Sequence, residues 1–217
     1  MSQPMGDPRH GILQPDVWCA LQERQRATLR LFAALGWLDL GARRAVEVGC
    51  GAGGNLLELL RFGFRPEHLA GIELLPERLA HARGVLPGAV RLVAGDAAGA
   101  AIEPGSQDLV LQFTVYSSLL DDATQARLAA AMWRWLKPGG GVLWYDFTMD
   151  NPRNLDVRGM PLSRVRALFP HAAVQARRVT LAPPLARAVT RVHPALYGWF
   201  NALPILRTHV LCWLAKP

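Results

Sequence analysis

Apolar residues along the chain recur with two different spacings, one typical of strands and one typical of helices. Short apolar segments that predict buried strands lie at residues 45–49, 68–74, 90–95, 108–115 and 142–147. Segments with helical spacing follow three of these strands, at residues 55–61, 77–85 and 123–136. An alternation of strand and helix is typical of a parallel sheet with right-handed crossovers. The pattern therefore predicts an α/β fold.

The two ends of the chain add further elements to this repeat. Apolar positions at helical spacing predict an amphipathic helix at residues 15–37, before the first strand. Beyond a short helix at 161–169, strands are predicted at 173–181 and 208–215, and a proline- and aromatic-rich insert at 183–204 separates them. We expect a doubly wound, mostly parallel sheet of seven strands with helices on both faces and an antiparallel last strand.

The most informative segment is residues 45–56, which read A-V-E-V-G-C-G-A-G-G-N-L. A buried strand that leads into a glycine turn and a helix is how α/β sheets build nucleotide sites. Gly49, Gly51 and Gly53 allow positive φ and a close approach of the backbone to a ligand. Gly49, Gly51 and Gly54 also satisfy the dinucleotide fingerprint. The turn by itself leaves two ligands open, a dinucleotide and an adenosyl sulfonium.

Acidic residues at strand ends help to separate these two ligands. Glu73 ends the second strand, where it would bind ribose hydroxyls of either ligand. Asp96 ends the third strand, in V-A-G-D-A. A short-chain nicotinamide reductase would use a Tyr/Lys proton relay, but the two lysines are Lys137, in a turn, and Lys216, near the end of the sequence. These features favour the sulfonium.

Five motifs in order carry a family resemblance: E-V-G-C-G-A-G-G, G-I-E-L, V-A-G-D-A, D-L-V-L-Q-F-T-V and L-K-P-G-G-G-V-L-W-Y-D-F. Together they resemble a class I S-adenosylmethionine-dependent methyltransferase of the small bacterial type, over about residues 43–147. The resemblance implies a Rossmann-like fold and S-adenosyl-L-methionine as cofactor, with S-adenosyl-L-homocysteine as product. We expect one domain, with an N-terminal arm and helix at 1–40, a cofactor-binding core at 41–150 and a substrate side at 151–217.

The resemblance also implies roles at the methionine end of the cofactor. The three glycines Gly49, Gly51 and Gly53 would wrap the methionine and ribose. Glu47 would lie near the methionyl group. Two residues at the end of the fourth strand would border the methionine and the methyl group, namely Gln112 and Phe113.

At the nucleoside end, the resemblance assigns the acids that follow the second and third strands. Glu73 would accept hydrogen bonds from both ribose hydroxyls, because a carboxylate takes two donors side by side. Asp96 would bind the adenine amino group, with the Ala97 backbone beside it. Leu74 would offer an apolar face to the ring.

Residues that contact the methyl acceptor should follow strands four and five, because open α/β sheets bind ligands at the carboxyl ends of their strands. The candidates for catalysis are Asp146, Tyr116 and Arg158. The candidates for substrate binding are Ser117, Asn151 and Asn154. Turn formation explains the Asn and Asp residues that follow strand five equally well.

The charge of the chain is unevenly distributed. Residues 1–150 hold 14 Lys and Arg against 16 Asp and Glu, whereas residues 151–217 hold 10 against one. The excess of basic residues in 151–217 favours an anionic acceptor or surface, although a solvated arginine-rich face explains it too. Nucleic acid is not expected, since Q-F-T-V-Y stands where amino-methylating relatives carry an Asn/Asp-Pro-Pro-aromatic run. The segment 181–206 is expected either to form a lid or membrane-facing patch for a lipid-linked acceptor, or to cover the last strands.

Three scattered cysteines show no disulfide or zinc spacing, so we expect no metal. With no apolar core of a signal peptide in residues 1–9 and no apolar run of 18 residues, a cytoplasmic location is expected. The expected reaction is O-methylation of a small anionic, glycosylated or lipid-linked acceptor by in-line transfer. Two alternatives stay open: an NAD(P)-dependent oxidoreductase and a non-catalytic cofactor-binding partner protein.

Overall fold

A computed structural model describes residues 11–150 and 154–217, so most of the predicted N-terminal arm and the candidate Asn151 lie outside the described residues. The strands are β1 (Ala45–Val48), β2 (Leu69–Glu73), β3 (Arg91–Ala94), β4 (Gln107–Phe113), β5 (Leu136–Phe147), β6 (Ala173–Leu181) and β7 (Arg207–Ala215). The helices are α1 (Pro15–Ala34), α2 (Gly54–Phe62), α3 (Pro76–Val85), α4 (Asp122–Trp135), α5 (Leu162–Leu168), α6 (Pro183–Val192) and α7 (Ala195–Asn201).

The seven strands form one sheet in the order β3-β2-β1-β4-β5-β7-β6. Strands β1 to β5 pair in parallel, and β7 runs antiparallel to both β5 and β6. The predicted mostly parallel sheet with an antiparallel last strand is therefore confirmed. Because β7 runs the other way, its first residues lie at the carboxyl edge of the sheet, beside the ends of β5 and β6.

Alternating side chains of the strands fill two cores on opposite faces of the sheet. On one face Val46 and Trp144 pack with Met132 of α4. On the other face Leu111 and Leu143 belong to a core that α1, α2 and α3 cover. This alternation decides which strand-end residues share a face. Glu47, Phe113 and Tyr145 point to the α1 side, whereas Gln112 and Asp146 point to the α4 side.

The start of α4 is capped by the side chain of Asp121. Asp121 accepts a hydrogen bond from the Thr124 N–H at 2.7 Å. This bond satisfies one of the free amides at the helix N-terminus.

One predicted boundary is wrong. Residues 137–141, which read as a tight turn, form the first part of β5, and the register with β4 shifts between Gln107 and Leu109. A Cβ on Gly141 would lie 2.4 Å from the Trp213 ring, so glycine is needed where that ring covers the strand. The glycines allow close packing here, although in the sequence they resemble a chain reversal.

The proline-rich insert forms two helices, α6 and α7, that pack against α1. Their contact is a third apolar cluster, which includes Cys19 of α1, Leu181 of β6 and Tyr197 of α7. Because the insert connects β6 to β7, it lies at the carboxyl edge of the sheet. We call α1, α6 and α7 together the cap. Within the described residues, no helix is long and apolar enough to cross a membrane.

We predict that Asp108→Asn lowers the free energy of unfolding by about 2 kcal/mol, because charge-assisted hydrogen bonds to a buried carboxylate are lost. Asp108 accepts the Arg44 N–H at 2.9 Å and contacts the Arg43 and Lys137 side chains at 3.2 and 2.7 Å. Urea unfolding at neutral pH measures the loss, and Glu103→Gln at an exposed site is the control.

Burial acts to raise the pKa of Asp108, but the Arg44 N–H and the Lys137 ammonium outweigh it and lower the pKa below 3.8. The stabilisation is therefore complete above pH 3.8 and is lost as the pH falls through the lower folded-state value. A difference between wild type and Asp108→Asn that grows on acidification would contradict this account.

Candidate active site

The glycine turn after β1 presents an open stretch of backbone. Gly49, Gly51 and Gly53 have φ of +63°, +55° and +87°, as their expected role requires. A Cβ would lie 2.6 Å from the Val115 side chain at Gly49 and 2.9 Å from the Leu86 side chain at Gly53, but at Gly51 it would meet nothing within 4 Å. The Gly51 backbone thus borders open space into which a ligand can fit.

Glu73 at the end of β2 is held by the backbone. Its Oε2 accepts the Gly51 N–H at 2.8 Å, and its Oε1 accepts the Leu75 N–H at 2.9 Å. Each carboxylate oxygen has two acceptor positions, so one on each remains for a ligand. Glu73 can therefore accept from a pair of neighbouring hydroxyls without losing its own support.

Glu47 on β1 is a buried carboxyl group with one free oxygen. Its Oε1 accepts from the Asn55 amide at the start of α2, while Oε2 has no hydrogen-bond partner among the described residues. Burial raises the pKa of Glu47 to about 7, and the Asn55 hydrogen bond and the Arg24 charge act against this rise. A cationic donor at Oε2 would satisfy both the oxygen and the charge.

Arg24 on α1 reaches this end of the site from the cap. Its guanidinium donates to Asn55 Oδ1 at 3.0 Å, and lies 4.8 Å from the centre of the Phe113 ring and 5.3 Å from that of Tyr145. Its buried Nε has no partner among the described residues. Sequence reasoning missed Arg24, because its neighbours in the structure belong to other parts of the chain.

The residues expected around an adenine form a more exposed rim. Leu74 is exposed, and Ala97 begins a short 3-10 turn. Asp96 Oδ1 accepts the Ala98 N–H at 3.0 Å, and its Oδ2 lies 3.2 Å from the Arg127 guanidinium. The Asp96 carboxylate is thus oriented at the end of β3 while its side chain remains accessible.

Asp146 is buried beneath the loop that follows β4. It accepts the Ser117 and Phe147 N–H groups at 3.2 and 3.0 Å, and the Gln112 amide lies beside it. Burial raises the pKa of Asp146 to about 6, and the hydrogen bonds from Ser117 partly oppose this. In this arrangement Asp146 joins the β4 loop to β5, and it has no exposed surface to offer an acceptor.

Tyr116 and Arg158 are likewise engaged with the α4 side of the molecule. Tyr116 is fully buried, with its hydroxyl donating to Met132 Sδ and its ring 4.4 Å from Trp144. The Tyr116 hydroxyl is thus engaged on the α4 side, and its expected role in catalysis stays a prediction. The Arg158 guanidinium pairs with Asp122 on α4.

The substrate-binding candidates are placed separately. Ser117 is buried, and its carbonyl accepts the Arg158 N–H at 2.8 Å. Asn154 is exposed and accepts the Asp156 N–H, as in a local turn. The structure thus brings Ser117 next to Asp146 but leaves Asn154 apart, and the role of each in binding stays a prediction.

A different group of polar side chains lies at the carboxyl edge beneath the cap. The Tyr145 hydroxyl is 2.8 Å from Thr180 Oγ1, and the Tyr145 and His209 rings stack with centres 4.9 Å apart. Burial, followed by the Arg24 charge, lowers the pKa of His209 to about 4, so this partly exposed imidazole is neutral at neutral pH. Sequence reasoning missed the group because its position depends on the antiparallel pairing of β7.

Glu23, the residue next to Arg24, ties this group to the cap. Its Oε2 accepts the Tyr197 hydroxyl of α7 at 2.8 Å and the Thr180 N–H of β6 at 3.0 Å. Thr180 has φ of +63°, a costly conformation for a β-branched residue. The contacts of Glu23 hold Thr180 in this conformation, so α1 fixes both the cofactor-side turn and the end of β6.

A cavity of about 360 Å³ lies elsewhere, between α4 and α5, where Trp133, Arg164 and Phe169 line it. These helices cover the sheet face opposite Glu47. The unpaired Glu47 oxygen therefore lies on the other side of the sheet from this cavity. No group of three or more His, Cys, Asp or Glu within the described residues could hold a metal ion.

Residues 45–140 match the family model of a methyltransferase domain. Among solved structures, geranyl diphosphate C-methyltransferase from Streptomyces coelicolor A3(2), in complex with S-adenosyl-L-homocysteine, is 14% identical, with a TM-score of 0.65 over 97% of this chain and 84% of that chain. A SAM-dependent methyltransferase from Archaeoglobus fulgidus is 13% identical, with a TM-score of 0.61 over 92% of this chain and 100% of that chain. Phosphoethanolamine N-methyltransferase 2 from Haemonchus contortus, in complex with S-adenosyl-L-methionine, is 18% identical, with a TM-score of 0.63 over 89% of this chain and 52% of that chain.

A comparison with curated proteins finds no match. At these identities the solved structures establish the fold, and the family model establishes the domain. Residues 45–140 therefore form a methyltransferase domain, in a chain whose fold is that of solved SAM-dependent methyltransferases. The NAD(P)-dependent oxidoreductase alternative is therefore set aside.

We predict that Gly51→Ala weakens binding of S-adenosylhomocysteine at least about tenfold, because the added methyl group would occupy the open space beside the turn. Gly36→Ala is the matched control, since Gly36 also has positive φ and open surroundings but lies at the end of α1. Each substitution should cost about 1 kcal/mol of folding stability through backbone strain. Calorimetric titration and thermal unfolding measure the two effects, and equal affinity losses in both variants would contradict a ligand site at Gly51.

Proposed function

We propose that this methyltransferase methylates an oxygen atom of a small acceptor that is anionic, glycosylated or lipid-linked. The observation that carries this proposal is the partly exposed His209 imidazole at the carboxyl edge of the sheet, stacked on Tyr145. A hydroxyl acceptor arrives with a proton that must leave during transfer, and a neutral imidazole can accept it. The acceptor would lie between the ends of β4 and β5 and the cap.

Two unpaired polar atoms, Glu47 Oε2 and Arg24 Nε, and two strand-end carboxylates support the proposed cofactor contacts. In this proposal Glu47 Oε2 accepts from the methionyl ammonium group, and the Arg24 guanidinium binds the methionyl carboxylate. Glu73 accepts from the ribose hydroxyls, and Asp96 binds the adenine amino group. Gly51 leaves room for the chain that joins methionine to ribose.

When bound, the cofactor supplies an electrophilic methyl group on a positively charged sulfur. The protein then has three tasks, which are to align the acceptor oxygen with that methyl group, to exclude water and to take the proton. The Phe113 and Tyr145 rings are tilted at 54° to each other with their centres 5.4 Å apart, and they form an apolar wall at the ends of β4 and β5. His209 on β7 stacks on Tyr145, on the side of this wall away from Glu47. In this proposal it receives the acceptor proton there.

The charge of the substrate side supports an anionic acceptor. Residues 157–217 contain nine Lys and Arg and no Asp or Glu. A surface of one sign attracts and orients molecules of the opposite sign.

Asp146 supports the proposal indirectly, because it fixes the β4 loop against β5. Because the Asp146 side chain is buried, we propose it as a positioning residue.

We predict that the protein transfers a ¹³C-labelled methyl group from S-adenosylmethionine to oxygen in an extract of its native host. The carbon chemical shift of the labelled product distinguishes O–CH₃ from N–CH₃, S–CH₃ and C–CH₃. Label on nitrogen, sulfur or carbon would contradict O-methylation. No transfer to any extract, combined with tight S-adenosylhomocysteine binding, would favour the non-catalytic partner protein.

In the same assay His209→Gln should lower turnover about a hundredfold, because general-base catalysis contributes on that order. Its affinity for S-adenosylhomocysteine should stay within about twofold of wild type, since His209 lies outside the cofactor groups. His81→Gln, on the exposed side of α3, is the control. Unchanged turnover in His209→Gln would remove His209 from the mechanism.

A further inference from the structure

The outer side of the cap ends in a cluster of exposed apolar side chains. Val192 at the end of α6, Trp199 on α7, and Leu203 and Ile205 just after it are 78%, 78%, 55% and 83% exposed. We call these four residues the tip patch. They lie within 14 consecutive residues, counted from Val192 to Ile205. Large apolar side chains are usually exposed singly, so such a concentration indicates a surface that meets something apolar.

The tip patch is held outward by firm contacts on its inner side. Tyr197 of α7 is buried and donates to Glu23 on α1 and accepts from the Leu181 N–H. The Arg207 guanidinium donates to the Asn201 carbonyl at the end of α7 and to the Arg178 carbonyl of β6. With these anchors, α7 cannot turn Trp199 inward without breaking buried hydrogen bonds.

A basic stripe runs along α6 to the edge of the tip patch. Arg187 and Arg191 are four residues apart and therefore share one face of the helix, and both are exposed. Val192 follows Arg191 directly in the sequence and is also exposed, so the two arginines end where the tip patch begins. Among residues 11–150 and 154–217, no carboxylate forms an ion pair with either arginine.

We propose that the tip patch and the α6 arginines dock this protein on an anionic phospholipid bilayer. Trp199 and Ile205 enter the boundary between headgroups and acyl chains, while Arg187 and Arg191 bind headgroup phosphates. Apolar side chains beside unpaired guanidinium groups, with no carboxylate anywhere in residues 157–217, match the chemistry of such an interface. Nucleic acid would match the charge but leave the aliphatic side chains exposed.

Docking in this orientation would place the bilayer against the cap. Because α6 and α7 lie at the carboxyl edge of the sheet, the membrane would stand next to the face where ligands bind. The inference depends on the surface alone, so it holds whether or not the acceptor is methylated on oxygen.

The test is co-sedimentation of the full chain with vesicles of phosphatidylcholine alone and with about 30% phosphatidylglycerol. Wild type should bind the anionic vesicles at least about tenfold better, and salt should weaken this preference by screening. Trp199→Ser combined with Ile205→Ser should lower the partition coefficient at least about tenfold. Arg187→Gln combined with Arg191→Gln should lower it about twentyfold on anionic vesicles only.

Matched controls distinguish vesicle binding by the tip patch from nonspecific binding. Leu38→Ser removes an apolar side chain that is 96% exposed in the turn before β1, and Arg61→Gln with Arg83→Gln removes the same charge from other helices. Both should bind vesicles as wild type does, and all variants should bind S-adenosylhomocysteine normally. Equal losses in the control variants, no vesicle binding, or binding to single-stranded DNA in place of vesicles would each overturn the proposal.

Discussion

Burying the Glu47 carboxyl group at the end of β1 imposes the main constraint on the carboxyl edge of the sheet. A carboxylate removed from water is costly unless donors and a nearby cation compensate for it. Asn55 supplies one donor, and Arg24 supplies a positive charge by binding the other side of the Asn55 amide. This compensation is incomplete, because Oε2 has no partner in the described part of the chain and burial raises the pKa of Glu47 to about 7. An incoming ammonium group would donate a hydrogen bond to this unsatisfied oxygen, which lies beside an open glycine turn.

Helix α1 connects this constraint to the rest of the edge. Arg24 faces Asn55, Phe113 and Tyr145, whereas its neighbour Glu23 holds Tyr197 and Thr180. One helical segment thus contacts the cofactor end, the aromatic wall and the outer helices of the cap. Removal of α1 would expose Glu47 to water and release α7 at the same time. The proposed acceptor site and the proposed membrane surface are both organised by this helix.

How much the sequence could predict depended on how local each feature is. The glycine turn was predicted because its residues are neighbours in sequence and in space, and Glu73 was predicted because it ends a strand. Arg24 and His209 were missed, since their roles arise from a helix folded back over β4 and from the antiparallel pairing of β7. Tyr116 was a candidate for catalysis because it follows a strand end, but strand position does not fix the direction of the next side chain, which packs here on the α4 side. The glycines at 139–141 were read as a turn, whereas they belong to β5, and Gly141 lets Trp213 lie on that strand.

Calorimetric titration of S-adenosylhomocysteine into wild type and Glu47→Gln, at about pH 6 and about pH 8, tests the central claim most directly. The ligand ammonium favours the ionised carboxylate, so wild-type affinity should be complete above pH 7 and should fall as the pH drops through that value. We expect the wild type to bind about tenfold more weakly at the lower pH, and Glu47→Gln to bind weakly and almost equally at both. Because the variant keeps the shape of the side chain, it also reports any titration of the ligand itself. Tight binding by Glu47→Gln, or the same pH dependence in both proteins, would contradict the account.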